Sequence, residues 1–172
     1  MRPLGIPDAE LEVLKALNRG DVAYLLIGGY AMRWYGAARQ TIDVDLLASP
    51  TPDNARRLVR TVERALGHAL GFSDETFAEP KKMVRFDGDG YRMSVLTSVD
   101  GLEFETAYGE REHARQGRVA IPVVSRRHLA CIKRVAADAD PSRRSIELGD
   151  IAFLEAHAPH NFGIQPTAYG RG

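Results

Sequence analysis

Two aspartates one residue apart, Asp43 and Asp45, are the residues in this sequence whose spacing most directly suggests chemistry. Side chains alternate between the faces of a β-strand, so both carboxylates are expected on one face while Ile42, Val44 and Leu46 point inward. Two adjacent negative charges repel each other, and a hard divalent cation between them removes that repulsion. We expect Mg²⁺, with Mn²⁺ as a substitute, because Mg²⁺ prefers oxygen ligands and leaves room for phosphate oxygens.

A glycine pair, Gly28 and Gly29, stands upstream at the end of an apolar strand predicted over residues 24–27. Without Cβ atoms, these residues let backbone N–H groups and the start of a short helix at Tyr30 approach a phosphate closely. A metal site facing such a turn is the apparatus of phosphoryl or nucleotidyl transfer. Purely structural explanations stay open, because the glycines can serve only a tight turn and the aspartates can protect an edge strand from aggregation.

The segments that must position these residues follow from hydrophobic periodicity and turn signals. A strand, a glycine turn, a short helix, a loop and a second strand are predicted over residues 25–47. Further helices are predicted over residues 8–20, 53–66, 125–137 and 144–157, and further strands over residues 82–86, 92–96, 112–115 and 118–120. Turn residues 87–90 predict a hairpin between two of those strands.

Composition bounds the function classes. The chain has 172 residues, which favours one domain, predicted over residues 1–158 and followed by a flexible C-terminal tail over residues 159–172. Its 23 basic and 23 acidic residues cancel, so we expect no binding of long duplex DNA. The single cysteine, Cys131, excludes an internal disulfide. No apolar run approaches membrane-spanning length, and we expect a soluble, cytoplasmic protein without a membrane partner.

The order of the glycine pair, a short helix, Arg39, Thr41 and the acid-x-acid triplet resembles the polymerase β-type nucleotidyltransferase superfamily, and within it small prokaryotic proteins similar to AbiEii-type toxins. The resemblance is most specific over residues 28–47, weaker over 91–108 and moderate over 124–155. It implies an α/β nucleotidyltransferase fold, with a mixed, mainly antiparallel twisted sheet flanked by helices. It also implies an enzyme that moves a nucleoside monophosphate from an NTP to an acceptor hydroxyl.

Residue roles follow from the same resemblance. It implies that Asp43 and Asp45 hold the metal, that Gly28 and Gly29 cradle the nucleotide phosphates, and that Arg39 steadies the triphosphate. Thr41 would fix the loop before the metal strand, although a solvated arginine and a strand-entry threonine are the plainer alternatives for these two residues. The toxin-like branch makes a cognate antitoxin a candidate partner. The acceptor stays open among tRNA, protein and small molecule.

Two residues near the C-terminus extend the resemblance. Lys133 matches a lysine that AbiEii-like enzymes direct at nucleotide phosphates, and Asp150 matches an acid in their last helix, so the resemblance implies that both residues take part in nucleotide binding. A lysine suits that task as a mobile point charge with three donors. The alternative is an ion pair between two adjacent helices at the surface. The segment around Glu147 departs from the Lys-Asp-rich pattern of the family, which weakens the match at Asp150.

One departure bears on catalysis. Similar proteins carry a third carboxylate on a neighbouring strand, where this sequence has Ser94. A neutral hydroxyl binds Mg²⁺ poorly, so the site either works with two carboxylates, recruits Asp100, Glu103 or Glu105, or is inactive. The second hypothesis is therefore a catalytically impaired protein of this fold that acts as a nucleotide- or RNA-binding regulator. An exposed arginine face predicted on the helix over residues 53–66 is either solvated or a contact surface for RNA.

Overall fold

Seven helices and six strands follow one another in the part of the chain that the computed structural model describes, residues 4–88 and 90–157. The helices are α1 (Asp8–Arg19), α2 (Gly28–Trp34), α3 (Pro52–Leu66), α4 (Asp74–Ala78), α5 (Phe104–Gly109), α6 (Arg126–Ala139) and α7 (Arg144–Ala156). The strands are β1 (Tyr24–Ile27), β2 (Val44–Ala48), β3 (Met83–Gly88), β4 (Tyr91–Leu96), β5 (Glu112–Gln116) and β6 (Val119–Val123).

The six strands form one open, twisted sheet in the order β3-β4-β2-β1-β6-β5. The pairs β1–β2, β3–β4 and β5–β6 are antiparallel, whereas β1–β6 and β2–β4 are parallel. Helices flank this sheet, with α1 packed against β4, β6 and α3, and α6 packed against α7. The prediction of an α/β fold with a mixed, mainly antiparallel sheet is confirmed.

The two central strands, β1 and β2, lie in the core. All four residues of β1 are buried, and every residue of β2 is buried except Asp45, which is half-buried. Such near-continuous apolar runs are expected of strands that are covered on both faces. Asp45 is therefore the one carboxylate in a strand whose other side chains are apolar, and its placement there needs a functional explanation.

A buried asparagine, Asn54, holds β1 and β2 together at the end of the pair that lies away from Asp45. The Asn54 side chain accepts a hydrogen bond from the Ala23 backbone N–H at 2.7 Å. It donates to the carbonyl oxygens of Ala23 and Ser49, at 3.0 and 2.9 Å. Because these residues lie just before β1 and just after β2, Asn54 locks the register that sets Ile27 opposite Asp45.

The structure differs from the sequence prediction in a few places. Ile42 was expected to point inward, but β2 begins only at Val44, and Ile42 is 65% exposed. The short helix α4 was not predicted, and β6 continues to Val123, three residues beyond the predicted end. Within residues 4–88 and 90–157, no helix is both long and apolar enough to cross a bilayer. The predicted tail over residues 159–172 lies outside the described residues.

Candidate functional site

The aspartate pair lies at one end of the central strands. Asp45 is the second residue of β2, and Asp43 lies one residue before that strand begins. In the register of the sheet, Asp45 has Ile27 of β1 on one side and Ser94 of β4 on the other. Both aspartates are half-buried, so they are held by the sheet and still reached by solvent.

Asp45 is placed where ionisation is costly. Burial raises the pKa of the Asp45 carboxyl above its usual range, and the neighbouring charge of Asp43 raises it further. A hydrogen bond donated by the Ser94 hydroxyl to Asp45 Oδ1 opposes this rise in pKa, as do the positive charges of Lys133 and Arg143. A cation bound between Asp43 and Asp45 would remove the repulsion between the two carboxylates. This repulsion therefore favours the binding of a divalent metal there.

The glycine pair touches the residues predicted to share its site. Gly28 has a φ of +67°, and a Cβ at that position would overlap the Asp45 carboxylate. A Cβ at Gly29 would lie 2.6 Å from both Cβ and Oγ1 of Thr41, closer than real Cβ atoms come. The two glycines are thus needed for the close approach of Asp45 and Thr41, whatever further part they play towards a phosphate.

The loop between α2 and β2 is tied down by its own polar groups. The Thr41 hydroxyl donates to the backbone carbonyl of Asp43 at 3.3 Å. Arg33 Nε donates to the carbonyl of Arg39 at 2.7 Å. The Arg39 guanidinium in turn reaches α7, where Nη1 lies 2.9 Å from Asp150 Oδ1. These contacts fix the backbone immediately before the aspartate pair.

Lys133 and Asp150 belong to an ion network between α6 and α7. Lys133 Nζ lies 2.9 Å from Glu147 Oε2 and 2.8 Å from Asp150 Oδ2. Arg39 binds Asp150 from one side, and Arg143 binds Glu147 from the other at 3.1 Å. Lys133 and Asp150 form an ion pair between adjacent helices, as the alternative interpretation of the sequence expected. The pair is buried and not at the surface, with side chains 6% and 9% exposed. Both contacted oxygens are at ion-pair distance from Lys133, yet neither accepts a well-aligned hydrogen bond.

The network carries an excess of positive charge. Its three cations, Arg39, Lys133 and Arg143, outnumber its two carboxylates, Glu147 and Asp150, by one. Two of those cations, Lys133 and Arg143, are near enough to Asp45 to lower its pKa. The aspartate pair therefore lies near an ion network with one excess positive charge, to which Arg39 of the α2–β2 loop contributes, an arrangement that suits a metal-bound polyanion such as a triphosphate.

The donor set fits one hard divalent cation that arrives with a nucleotide. Mg²⁺ is commonly held by one or two carboxylates together with substrate phosphates and water. Among residues 4–88 and 90–157, no three His, Cys, Asp or Glu side chains gather into a group able to hold a metal. Asp100 instead pairs with Lys81 at 3.3 Å, and Glu103 accepts from Thr106. Recruitment of a third carboxylate, one of the alternatives that the sequence left open, is not seen in this part of the chain.

Sequence reasoning missed three charged residues at the site: Arg85, Arg143 and Glu147. Glu147 is 2% exposed and lies three residues before Asp150, so both acids share one face of α7. That spacing was a readable signal, although the sequence was interpreted there as a departure from a family pattern. Arg85 follows only from strand pairing, since it lies opposite Ser94 in the β3–β4 register.

Comparisons with known proteins agree on this architecture. Residues 13–145 match the family model described as nucleotidyl transferase AbiEii toxin, type IV toxin–antitoxin system. An antigenic nucleotidyltransferase-like protein from Paracoccidioides brasiliensis superposes with a TM-score of 0.53 at 12% identity, covering 87% of this chain and 77% of that one. The structure of ANT(2″)-Ia in complex with adenylyl-2″-tobramycin superposes with a TM-score of 0.51 at 15% identity, covering 84% of each chain. No curated protein matches the sequence.

Replacing Gly28 with alanine tests whether the close approach to Asp45 matters for ligand binding. Gly67 is a matched control, because its φ is +77° and a Cβ there would meet nothing within 4 Å. Both variants should lose roughly 1–2 kcal/mol of stability from the left-handed backbone. Only Gly28→Ala should also displace Asp45 and weaken metal-dependent nucleotide binding, measured by calorimetry. Equal binding by the two variants would show that the contact is unimportant.

The raised pKa of Asp45 predicts that its charge destabilises the metal-free protein. A carboxyl with a higher pKa in the folded state binds protons more tightly there, so stability falls as pH rises from the ordinary aspartate range through that folded pKa. Asp45→Asn should therefore unfold at a higher temperature than the wild type near pH 7 without divalent metal. The gain should shrink as pH falls through the raised pKa of Asp45, because the wild-type carboxyl is then protonated in the folded protein. Asp138→Asn, at an exposed position, is the control, and a lower melting temperature for Asp45→Asn contradicts the prediction.

Proposed function

Because this chain belongs to the family of AbiEii nucleotidyl transferase toxins, we propose that it moves a nucleoside monophosphate from an NTP to an acceptor hydroxyl with the help of Mg²⁺. The acceptor oxygen attacks the α-phosphorus and the bond between the α- and β-phosphates breaks. Pyrophosphate leaves, and the hydroxyl proton passes to solvent. The observation that carries the proposal is the contact of the Asp45 carboxylate with Gly28, which joins the acidic pair to the glycine turn.

The metal role falls to Asp43 and Asp45. Both carboxylates stand at one end of β2, and they would hold Mg²⁺, or Mn²⁺ in its place. Once bound, the ion would neutralise phosphate charge and orient the triphosphate for attack. Ser94 would act on the metal ligand without binding the metal itself, because its hydroxyl donates to Asp45 Oδ1 and thereby fixes the orientation of that carboxylate.

The phosphate role falls to Lys133 and Arg39. Asp150 contacts both side chains, so it would serve as a positioning residue for two cations and not as a nucleotide ligand. Lys133 is buried between helices and carries an ammonium whose contacts with Glu147 and Asp150 lack hydrogen-bond alignment. Its charge would stabilise the pyrophosphate that leaves. Gly28 and Gly29 would give the phosphates access to the backbone at the start of α2.

The family also bears on partners and setting. A type IV toxin–antitoxin family suggests a cognate antitoxin, which we propose as a partner of this chain. The NTP is the proposed donor, and the acceptor is a hydroxyl on tRNA, a protein or a small molecule. We propose that the reaction takes place in the cytoplasm, where nucleoside triphosphates are present.

The test is transfer of label from NTPs. Purified protein with Mg²⁺ and the four α-labelled NTPs should label an acceptor when offered RNA, protein extract or small hydroxylated molecules. The paired variant Asp43→Ala with Asp45→Ala should abolish labelling, because no protein carboxylate remains to hold the metal. Asp138→Ala, which removes an exposed carboxylate, should label as the wild type does. Absence of labelling together with absence of metal-dependent nucleotide binding would overturn the proposal.

A second candidate is supported by the polar neighbours of the aspartates. Asp45 is engaged by the Ser94 hydroxyl, and Asp43 by the guanidinium of Arg85, 3.2 Å away. A site with two carboxylates and one resident cation attracts fewer metal ions than a site with three carboxylates. The protein would then bind nucleotides or RNA as a regulator that has lost the reaction.

Ser94→Asp discriminates between the two candidates. The new carboxylate lies beside Asp45 in the register and adds a third oxygen ligand. If the wild type is a regulator, it should bind nucleotide without turnover and Ser94→Asp should create label transfer. If the wild type is an enzyme, it should turn over by itself. Ser94→Ala is the matched control, since it removes the hydrogen bond to Asp45 without adding a charge.

A further inference from the structure

Arg85 stands at the edge of the site that the aspartate pair forms. It lies in β3, an edge strand of the sheet. Its register partner is Ser94 in β4, and the register partner of Ser94 in β2 is Asp45. The three residues therefore form one row across three neighbouring strands. In such a row the side chains share one face of the sheet, so Arg85 projects on the side where Asp45 does.

The guanidinium contacts the other aspartate. Arg85 Nη2 lies 3.2 Å from Asp43 Oδ2, and the pair is made through one nitrogen and one oxygen. This is weaker than the two-pronged contact that arginine and carboxylate can form. The Arg85 side chain is 58% exposed and the Asp43 side chain 29% exposed, so water reaches the contact. An exposed, single-pronged ion pair is readily broken.

The position of this contact has a consequence for ligand binding. A divalent ion held between Asp43 and Asp45 needs an oxygen of Asp43, and Arg85 occupies one of the two. The guanidinium and the metal ion therefore compete for the same carboxylate. A metal ion bound with a triphosphate brings new anionic oxygens to the site, and a guanidinium has five donors suited to phosphate.

We propose that Arg85 is a displaceable counter-ion of this site, which holds Asp43 in the metal-free protein and moves to the nucleotide phosphates when the metal-bound nucleotide enters. The inference rests on the proposed function, since it needs the aspartates to hold a metal. The cation is the guanidinium of Arg85, which β3 places beside Ser94. This arrangement also explains how two carboxylates can lie side by side before any ligand arrives, because the charge of Asp43 is partly compensated by Arg85.

The proposal predicts two effects of opposite sign. Removing the guanidinium removes a competitor of the bare metal ion, so Arg85→Ala should bind Mn²⁺ alone about two- to five-fold more tightly. The same change removes a phosphate partner, so it should bind the Mg²⁺ complex of a nucleotide roughly ten-fold more weakly. A residue that only supports the sheet would shift both affinities in the same direction.

The experiment measures both affinities on the full chain. Mn²⁺ binding is followed by electron paramagnetic resonance without nucleotide. Nucleotide binding is followed by calorimetry in Mg²⁺, with all four nucleotides carrying a methylene group between the α- and β-phosphates. Arg85→Lys keeps the charge and should fall between wild type and Arg85→Ala in both assays. Arg56→Ala is the control, because it breaks another exposed arginine–aspartate pair, with Asp53 on α3, and should change neither affinity.

The possible outcomes separate this inference from the proposed function. Opposite shifts in Arg85→Ala, with a melting temperature close to that of the wild type, support the inference. Unchanged affinities, or a loss of both, overturn it while leaving the proposed function standing. If the wild type binds neither Mn²⁺ nor any of the nucleotides, the proposed function fails and the inference fails with it.

Discussion

The structure depends on the contact between the backbone of Gly28 and the carboxylate of Asp45, which is costly to bury. Gly28 follows the last residue of β1 and begins α2, and the Asp45 carboxylate occupies the space where a Cβ would stand. This contact is possible only because β1 and β2 pair as neighbours, with Ile27 opposite Asp45. Asn54 fixes that pairing through three hydrogen bonds from the opposite end of the two strands. A buried core interaction thus sets the geometry of a charged site.

The electrostatics of the site divide between two layers. The aspartates at the end of the sheet supply negative charge, and the ion network between α6, α7 and the α2–β2 loop supplies one excess positive charge. Removing one partner of a buried ion pair leaves an uncompensated charge, so each member of the network depends on the others. Asp150 is the clearest case, because Lys133 and Arg39 both contact it. The network thereby connects the last helix to the loop that precedes the aspartates.

The sequence was most informative where local chemistry decides structure. The glycine pair, the acid-x-acid triplet and the alternating strand pattern were visible in one short stretch, and they led to the fold class that the structure confirms. The start of α6 was also predicted at residue 125, where the Ser125 side chain caps the helix by accepting from the His128 N–H. Contacts between distant segments were not readable. Arg85 contacts Asp43, which lies 42 positions earlier in the sequence, and no residue pattern within β3 predicts that contact. The inward orientation predicted for Ile42 failed because the strand begins two residues later than its apolar pattern suggested.

The strain at Asp45 can be understood as preparation for a ligand. A protein that buries one carboxylate beside another loses stability while no ligand is bound between them. A ligand that binds only the folded state restores that stability. Natural sites often accept such a cost because the groups that bind are the groups that repel one another. Here the cost is reduced on both aspartates without a metal, since Ser94 donates to Asp45 and Arg85 pairs with Asp43. Ser94 is neutral, so it moderates the charge of Asp45 without cancelling it. Ser94 and Arg85 leave part of the repulsion between the aspartates in place. Binding of a metal-bound nucleotide would remove that part, which would favour the bound state.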